Sequence, residues 1–292
     1  MKVVLVGAGK MGLPIARHIA GAGHALLVHD NSAAAQSAAR AAGLELAASL
    51  SAALAAAEVV FSSLPDDAAL AAVANEVAAH AAADAIYIDT STVSLQASAA
   101  AAARCAERRI AHVRATLSGN NKMAELAQLT VLASGPRAAI DRVQPLLRLL
   151  GPTQFYLGYG EQARLMKLVL NLMIAATSGM LAEALILGEK GGLDWQQMWD
   201  VIGASAVGSP IVKAKAVQLR EHDYTPTFTV EQMQKDVGLI LQAGAQLKVP
   251  LALTAKVGQM LHAAAAQGDA ALDYAALIRA QARLSGWPVA RR

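Results

Sequence analysis

The chain has 292 residues, enough for two domains of about 150 residues each or for one large one. Apolar residues make up 55% and charged residues 16%, which excludes a disordered or tail-dominated chain, because there is ample material for a core. A formal charge of +3, from 25 basic and 22 acidic residues, is too small to imply a nucleic-acid partner. The longest informative apolar run, residues 168–182, spans 15 residues and contains Asn171, Thr177 and Ser178. It is shorter than the roughly 18 residues a membrane span needs, so no membrane partner is expected. The single cysteine, Cys105, lacks companions for a disulfide or a metal and reads as a small packed hydrophobe in a reducing compartment. No cleavable signal is evident, because the first apolar run is short and ends in glycine; the expected location is cytoplasmic. Arg291 and Arg292 read as a frayed terminus.

In chain order, short apolar runs at 3–6, 25–29, 59–62, 86–89, 110–113 and 129–133 alternate with alanine-rich helical stretches. Runs apolar on both faces suit buried strands, and the intervening helices suit crossovers of a parallel sheet. After Gly158-Tyr159-Gly160 the texture changes. Residues 161–191 form one long, very apolar helical pattern, followed by helical patterns at 195–202, 230–247, 251–267 and 274–285. The expected architecture is α/β: a doubly wound, Rossmann-type parallel sheet over 1–160, then an all-helical substrate and oligomerisation domain over 161–292. Its active site is expected in the cleft between them, outside the carboxyl ends of the strands.

The first strand runs into Gly7-Ala8-Gly9-Lys10-Met11-Gly12, and a helical stretch follows. Strand, G-x-G-x-x-G and helix together make a dinucleotide loop. Gly7 permits the tight turn, Gly9 lets the backbone approach a pyrophosphate, and Gly12 lets helix and strand pack closely. Asp30 lies 23 positions after Gly7, at the end of the second strand. A carboxylate there accepts from a ribose 2′-hydroxyl and repels a 2′-phosphate, so NAD is favoured over NADP. The neighbours Asn31 and Ser32 offer no positive charge. The alternative is that Asp30 caps the next helix.

Oxidising an alcohol to a carbonyl needs a hydride acceptor and a group that takes the hydroxyl proton. Lys167 lies in the most apolar helix, where an unpaired ammonium is costly, and this suits it to exchange its proton. Asn171, at i+4, shares its helix face and can orient Lys167 or the substrate hydroxyl. A snorkelling structural lysine is the other reading. Ser118-Gly119-Asn120 offers a hydroxyl and backbone N–H groups for a substrate carboxylate, or is a plain polar turn.

At this point the sequence resembles the β-hydroxyacid dehydrogenase family, which includes 3-hydroxyisobutyrate and 6-phosphogluconate enzymes. The opening Gly7-Ala8-Gly9-Lys10-Met11-Gly12-Leu13-Pro14-Ile15-Ala16 with Ala22-Gly23-His24 is similar to the family's signature. Leu64-Pro65 and Asp89-Thr90-Ser91-Thr92 resemble its cofactor-contact segments, and Ser118-Gly119 its substrate-binding serine and glycine. Lys167 with Asn171 resembles its catalytic pair, and Lys235-Asp236-Val237-Gly238-Leu239 its downstream segment.

The resemblance implies an NAD-dependent dehydrogenase of a small carboxylate bearing a β-hydroxyl, or a reductase of the matching semialdehyde, working as a homodimer or homotetramer without a metal. Leu64, Pro65, Thr92 and Lys235 are then cofactor contacts, and Lys235 also closes over the carboxylate. A helix-capping Thr92 and a solvated Lys235 are the bland alternatives. Four departures stand out. Asn120 replaces the second glycine of the substrate motif, Arg114-Ala115-Thr116-Leu117 replaces Asp-Ala-Pro-Val, Glu161 and Ala163 replace two glycines before the lysine, and Leu170 replaces the first Asn of an Asn-Asn pair, leaving Asn171. The substrate wall is therefore expected to be rebuilt. An imine reductase-like enzyme or a non-catalytic dinucleotide module are the competing classes, and Lys167 argues against both.

Overall fold

The computed structural model describes residues 1–288, so Arg291 and Arg292 lie outside the described residues. Seven strands form one sheet: β1 (Lys2–Val6), β2 (Ala25–His29), β3 (Val59–Ser62), β4 (Ile86–Asp89), β5 (Ala111–Ser118), β6 (Thr130–Ser134) and β7 (Thr153–Tyr156). Their order is β2-β1-β3-β4-β5-β6-β7, parallel throughout except for the antiparallel pair β5–β6. The chain leaves β1 toward one edge and returns past it to β3, which makes the carboxyl end of β1 the switch point where such sheets bind ligands.

The helices between the strands are α1 (Gly12–Gly21), α2 (Ala33–Ala41), α3 (Leu50–Ala56), α4 (Asp67–His80), α5 (Leu95–Ala106), α6 (Asn121–Glu125) and α7 (Arg137–Arg148). Period-2 alternation sends strand residues to two cores. Val3, Leu5, Phe61, Ile88 and Val113 pack with Ile15 and Ile19 of α1 and Val143 of α7. Val4, Val6, Val60 and Tyr87 pack on the other face with Leu54, Leu70, Val77 and Cys105. Each fully buried Val, Leu, Ile or Phe contributes about 1.5–3 kcal/mol relative to an exposed one.

Two strands differ from expectation. β5 runs on to Ser118, five residues beyond the apolar run, because Arg114 and Thr116 find polar partners inside the fold. β7 carries Thr-Gln-Phe-Tyr on an edge where no residue is fully buried, so no apolar run marks it.

Two compact units divide the chain, Met1–Lys167 and the segment from Leu168 onward. After α8 (Gln162–Lys190) come α9 (Trp195–Ala204), α10 (Pro210–Leu219), α11 (Val230–Leu247), α12 (Ala252–Ala264) and α13 (Leu277–Leu284). The second unit's core joins Leu185 and Ile186 of α8 to Trp199, Val237, Leu261 and Leu277. Among the described residues α8 alone is long and apolar enough to cross a membrane by length and composition. Its inward residues instead make protein core.

Burial pushes the Cys105 thiol up to about 12, against a smaller lowering by Arg114 and Arg104. We expect no labelling of the native protein by an aromatic disulfide at pH 8, and one thiol per chain after unfolding. Rapid native labelling would contradict the buried packing of α5.

Candidate active site

The phosphate loop shows why its three glycines are needed. Gly7 has φ +93°, and its N–H donates to His29 O at 2.9 Å, turning the chain sharply off β1. A Cβ on Gly7 would overlap the Ser63 carbonyl, and one on Gly12 would overlap the Gly7 carbonyl. Gly9 is different: apart from its chain neighbours, nothing lies within 4 Å of where its Cβ would be. Its bareness therefore leaves a cradle open to a ligand. The α1 helix that follows has no side-chain cap and no acidic residue in its first turn, whereas α2 to α5 are each capped by Ser or Asp. A helix start with neither a side-chain cap nor an acidic residue suits a pyrophosphate. Lys10 at the loop tip is exposed and Met11 half-buried.

Asp30 is tied to this loop. One carboxylate oxygen accepts from Ala8 N at 2.7 Å and the other from Ser32 N at 2.7 Å. Ser32, not Asp30, caps α2, accepting from Ala35 N, so the capping alternative for Asp30 falls away. Asp30 lines a cavity of about 580 Å³ together with His29, Gln36 and Arg40, while Asn31 beside it is exposed. Reading only the next two residues for charge missed Arg40, which α2 brings back to the same cavity.

The loops after β3 and β4 are bonded to one another. Leu64 N donates to Ser91 Oγ at 2.8 Å, and Ser91 Oγ donates to Asp89 Oδ1 at 2.6 Å. Pro65 is exposed and Thr92 half-buried. Ser94 rather than Thr92 caps α5, which removes the capping alternative for Thr92.

Ser118 ends β5, and Gly119 follows at φ +142°, a conformation where a Cβ would press on Leu129. The Asn120 Oδ1 accepts from Met123 N at 3.0 Å and caps α6. Its oxygen serves its own helix. Arg114 to Leu117 lie inside β5, nearly all without solvent contact. Arg114 forms an ion pair with Glu161, and Thr116 Oγ1 donates to Ala163 O at 2.9 Å. The positions that depart from the family pattern at 114 and 116 thus contact those that depart at 161 and 163.

In the second unit, Asn171 Nδ2 donates to Asp236 Oδ2 at 2.6 Å, with both residues buried. Lys235 Nζ lies 2.9 Å from the other oxygen of Asp236. Asp236 therefore holds Asn171 and Lys235 together, a role its bare position beside Lys235 did not reveal. Lys167, half-buried, stands one turn before Asn171 on α8. His112 offers no competing base: it is buried against Tyr87, and burial pushes it well below its usual range, keeping it neutral.

Comparison with known proteins agrees with this layout. The NAD binding domain of 6-phosphogluconate dehydrogenase matches residues 2–158, and the NAD-binding region of NADP-dependent 3-hydroxyisobutyrate dehydrogenase matches 161–281. The 2-(hydroxymethyl)glutarate dehydrogenase of Eubacterium barkeri is 30% identical over 290 residues, 98% of this chain and 96% of its own. Glyoxylate/succinic semialdehyde reductase 1 of Arabidopsis thaliana is 30% identical over 194 residues, 66% of this chain and 67% of its own. Among solved structures, the 3-hydroxyisobutyrate dehydrogenase of Mycobacterium tuberculosis with L-serine superposes with a TM-score of 0.87 at 27% identity, covering 95% of this chain and 97% of that one. With both halves matched in order and a relative similar along nearly its whole length, the chain belongs to the β-hydroxyacid dehydrogenase family.

Proposed function

We propose that the protein is an NAD-dependent dehydrogenase of a small β-hydroxy acid, or a reductase of the matching semialdehyde, with Lys167 as its general acid/base. The relatives' names pair a carboxylate with a hydroxyl or aldehyde, which supports that substrate class. NAD, when bound, supplies the hydride acceptor. The chain's own residues do the rest. Gly7 to Gly12 and the first turn of α1 cradle the pyrophosphate, with Leu64, Pro65 and Thr92 lining the way to the reacting end. Ser118 and the Gly119 N–H hold the substrate carboxylate, assisted by Lys235. Lys167 takes the hydroxyl proton during oxidation and returns it during reduction, while Asn171, steadied by Asp236, orients the hydroxyl. We also propose a cytoplasmic homodimer or homotetramer with no nucleic-acid or membrane partner. Val169, Met173, Met180 and Leu187 of α8, exposed in the single chain, support a second copy as their cover.

The observation that carries the choice of NAD is the Asp30 carboxylate fixed to the phosphate loop. NAD should bind at least tenfold more tightly than NADP, about 1.4 kcal/mol. Arg40 lines the same cavity, so Asp30→Ala alone should narrow the gap, and Asp30→Ala with Asn31→Arg should close or reverse it. Titrating both cofactors against the wild type tests this; equal affinities would end the NAD assignment.

A further inference from the structure

Four buried polar residues stand side by side across the sheet. Ser62 on β3 pairs with Asp89 on β4, Asp89 with Arg114 on β5, and Arg114 with Ser134 on β6. Directly paired residues share one face of a sheet, so the row presents one polar edge to one side. Val6, the last residue before the phosphate loop, pairs with Ser62 and continues the row.

Three members of the row hold the start of α8. Asp89 forms an ion pair with Arg164, and both are essentially without solvent contact, at 0% and 1% exposure. Arg114 pairs with Glu161. Ser134 Oγ donates to Gly160 O at 2.7 Å and accepts from Ala163 N at 3.2 Å. Arg164 uses the rest of its fork as well, donating from Nε to Ser98 Oγ at 3.0 Å and from Nη1 to Ser91 O. The other Asp89 oxygen accepts from Ser62 and from Ser91, whose hydroxyl accepts from Leu64 N. A continuous run of directional bonds therefore links the loops after β3 and β4 to the first turn of α8. Each bond fixes both distance and angle, and the planar guanidinium fixes several at once.

We propose that this row is a positioning device for Lys167, with Arg164 as its principal positioning residue. Lys167 follows Arg164 by three residues, under one helical turn, so holding Arg164 sets where Lys167 stands relative to Leu64 and Ser91. The inference rests on the reading of Lys167 as the proton-exchanging group. Displacing such a group by about 1 Å can cost about 100-fold in rate, even when the change lies away from the chemistry. A pair serving stability alone would leave the turnover of the folded enzyme unchanged.

The test compares Arg164→Lys and Ser134→Ala with wild type. The alcohol is the fastest of 3-hydroxyisobutyrate, 3-hydroxypropionate, glycerate and 2-(hydroxymethyl)glutarate. Arg164→Lys keeps the buried charge and loses the fork. It should lower kcat at least tenfold while the Kd for NAD and the KM for the alcohol change less than threefold. Ser134→Ala should lower kcat at least threefold in the same pattern, and it carries the test if Arg164→Lys does not fold. Smaller losses in the folded variants, or a Kd for NAD that rises in step with the lost kcat, would overturn the proposal. Lys167→Ala is assayed alongside. If it keeps its turnover, the reading of Lys167 has failed; if it alone loses turnover, only the positioning role has failed.

Discussion

Lys167→Ala should lower turnover by about 10² to 10⁴, the usual contribution of a positioned general acid/base. The affinity for NAD should stay nearly unchanged, since the pyrophosphate cradle is built from Gly7 to Gly12 and α1. Lys167→Arg should fail as well. A guanidinium stays protonated at any usable pH and cannot accept the hydroxyl proton. Asn171→Ala should lose less turnover because Asn171 exchanges no proton. It should also destabilise the second unit, since it removes the amide that Asp236 accepts from inside the core. The arginine variant decides the matter. If it keeps most of the wild-type turnover, Lys167 is only a positive charge for a carboxylate, and the base lies elsewhere.

Gly9→Val should leave the melting temperature within a few degrees of wild type and weaken NAD binding about 100-fold, close to 2.7 kcal/mol. The reason is the open space around the Gly9 Cβ position, where a side chain meets no protein and fills the cradle instead. Gly12→Val should behave in the opposite order. Its side chain would overlap the Gly7 carbonyl and force strand and helix apart, so the fold itself loses about 1–3 kcal/mol or more. Thermal unfolding and cofactor titration of the two variants separate these roles. Undiminished NAD binding by Gly9→Val would mean that the loop is an ordinary βα turn.

The parts of the molecule written locally were legible in the sequence. β1, β3 and β4 are short apolar runs buried on both faces, β2 is one buried on one face, and the phosphate loop combines a strand, three glycines and a helix within twenty residues. β7 was not legible because an edge strand of Thr, Gln, Phe and Tyr makes no apolar run. The extension of β5 was hidden for another reason. Arg114 and Thr116 look like loop residues until their partners, each 47 positions further on, are seen to satisfy them. Asp236 gains its meaning only from Asn171, 65 positions earlier, and Arg40 only from the return of α2 beside Asp30. Asn120 was read from its neighbours in the motif, whereas its oxygen is committed to the turn that follows it. For Arg114, Thr116 and Asp236 the missing term was a contact with a residue distant in sequence, which no short window contains.

The most direct test of hydride exchange with a β-hydroxy acid uses alcohols deuterated at the carbinol carbon. The panel of 3-hydroxyisobutyrate, 3-hydroxypropionate, glycerate and 2-(hydroxymethyl)glutarate is incubated with NAD, the absorbance of the reduced nicotinamide is followed, and the product cofactor is analysed by mass. At least one alcohol should yield reduced cofactor carrying one deuterium, with the matching aldehyde acid formed in equal amount. Reduced cofactor from none of the four, and no oxidation of reduced cofactor by the corresponding semialdehydes, would contradict the account.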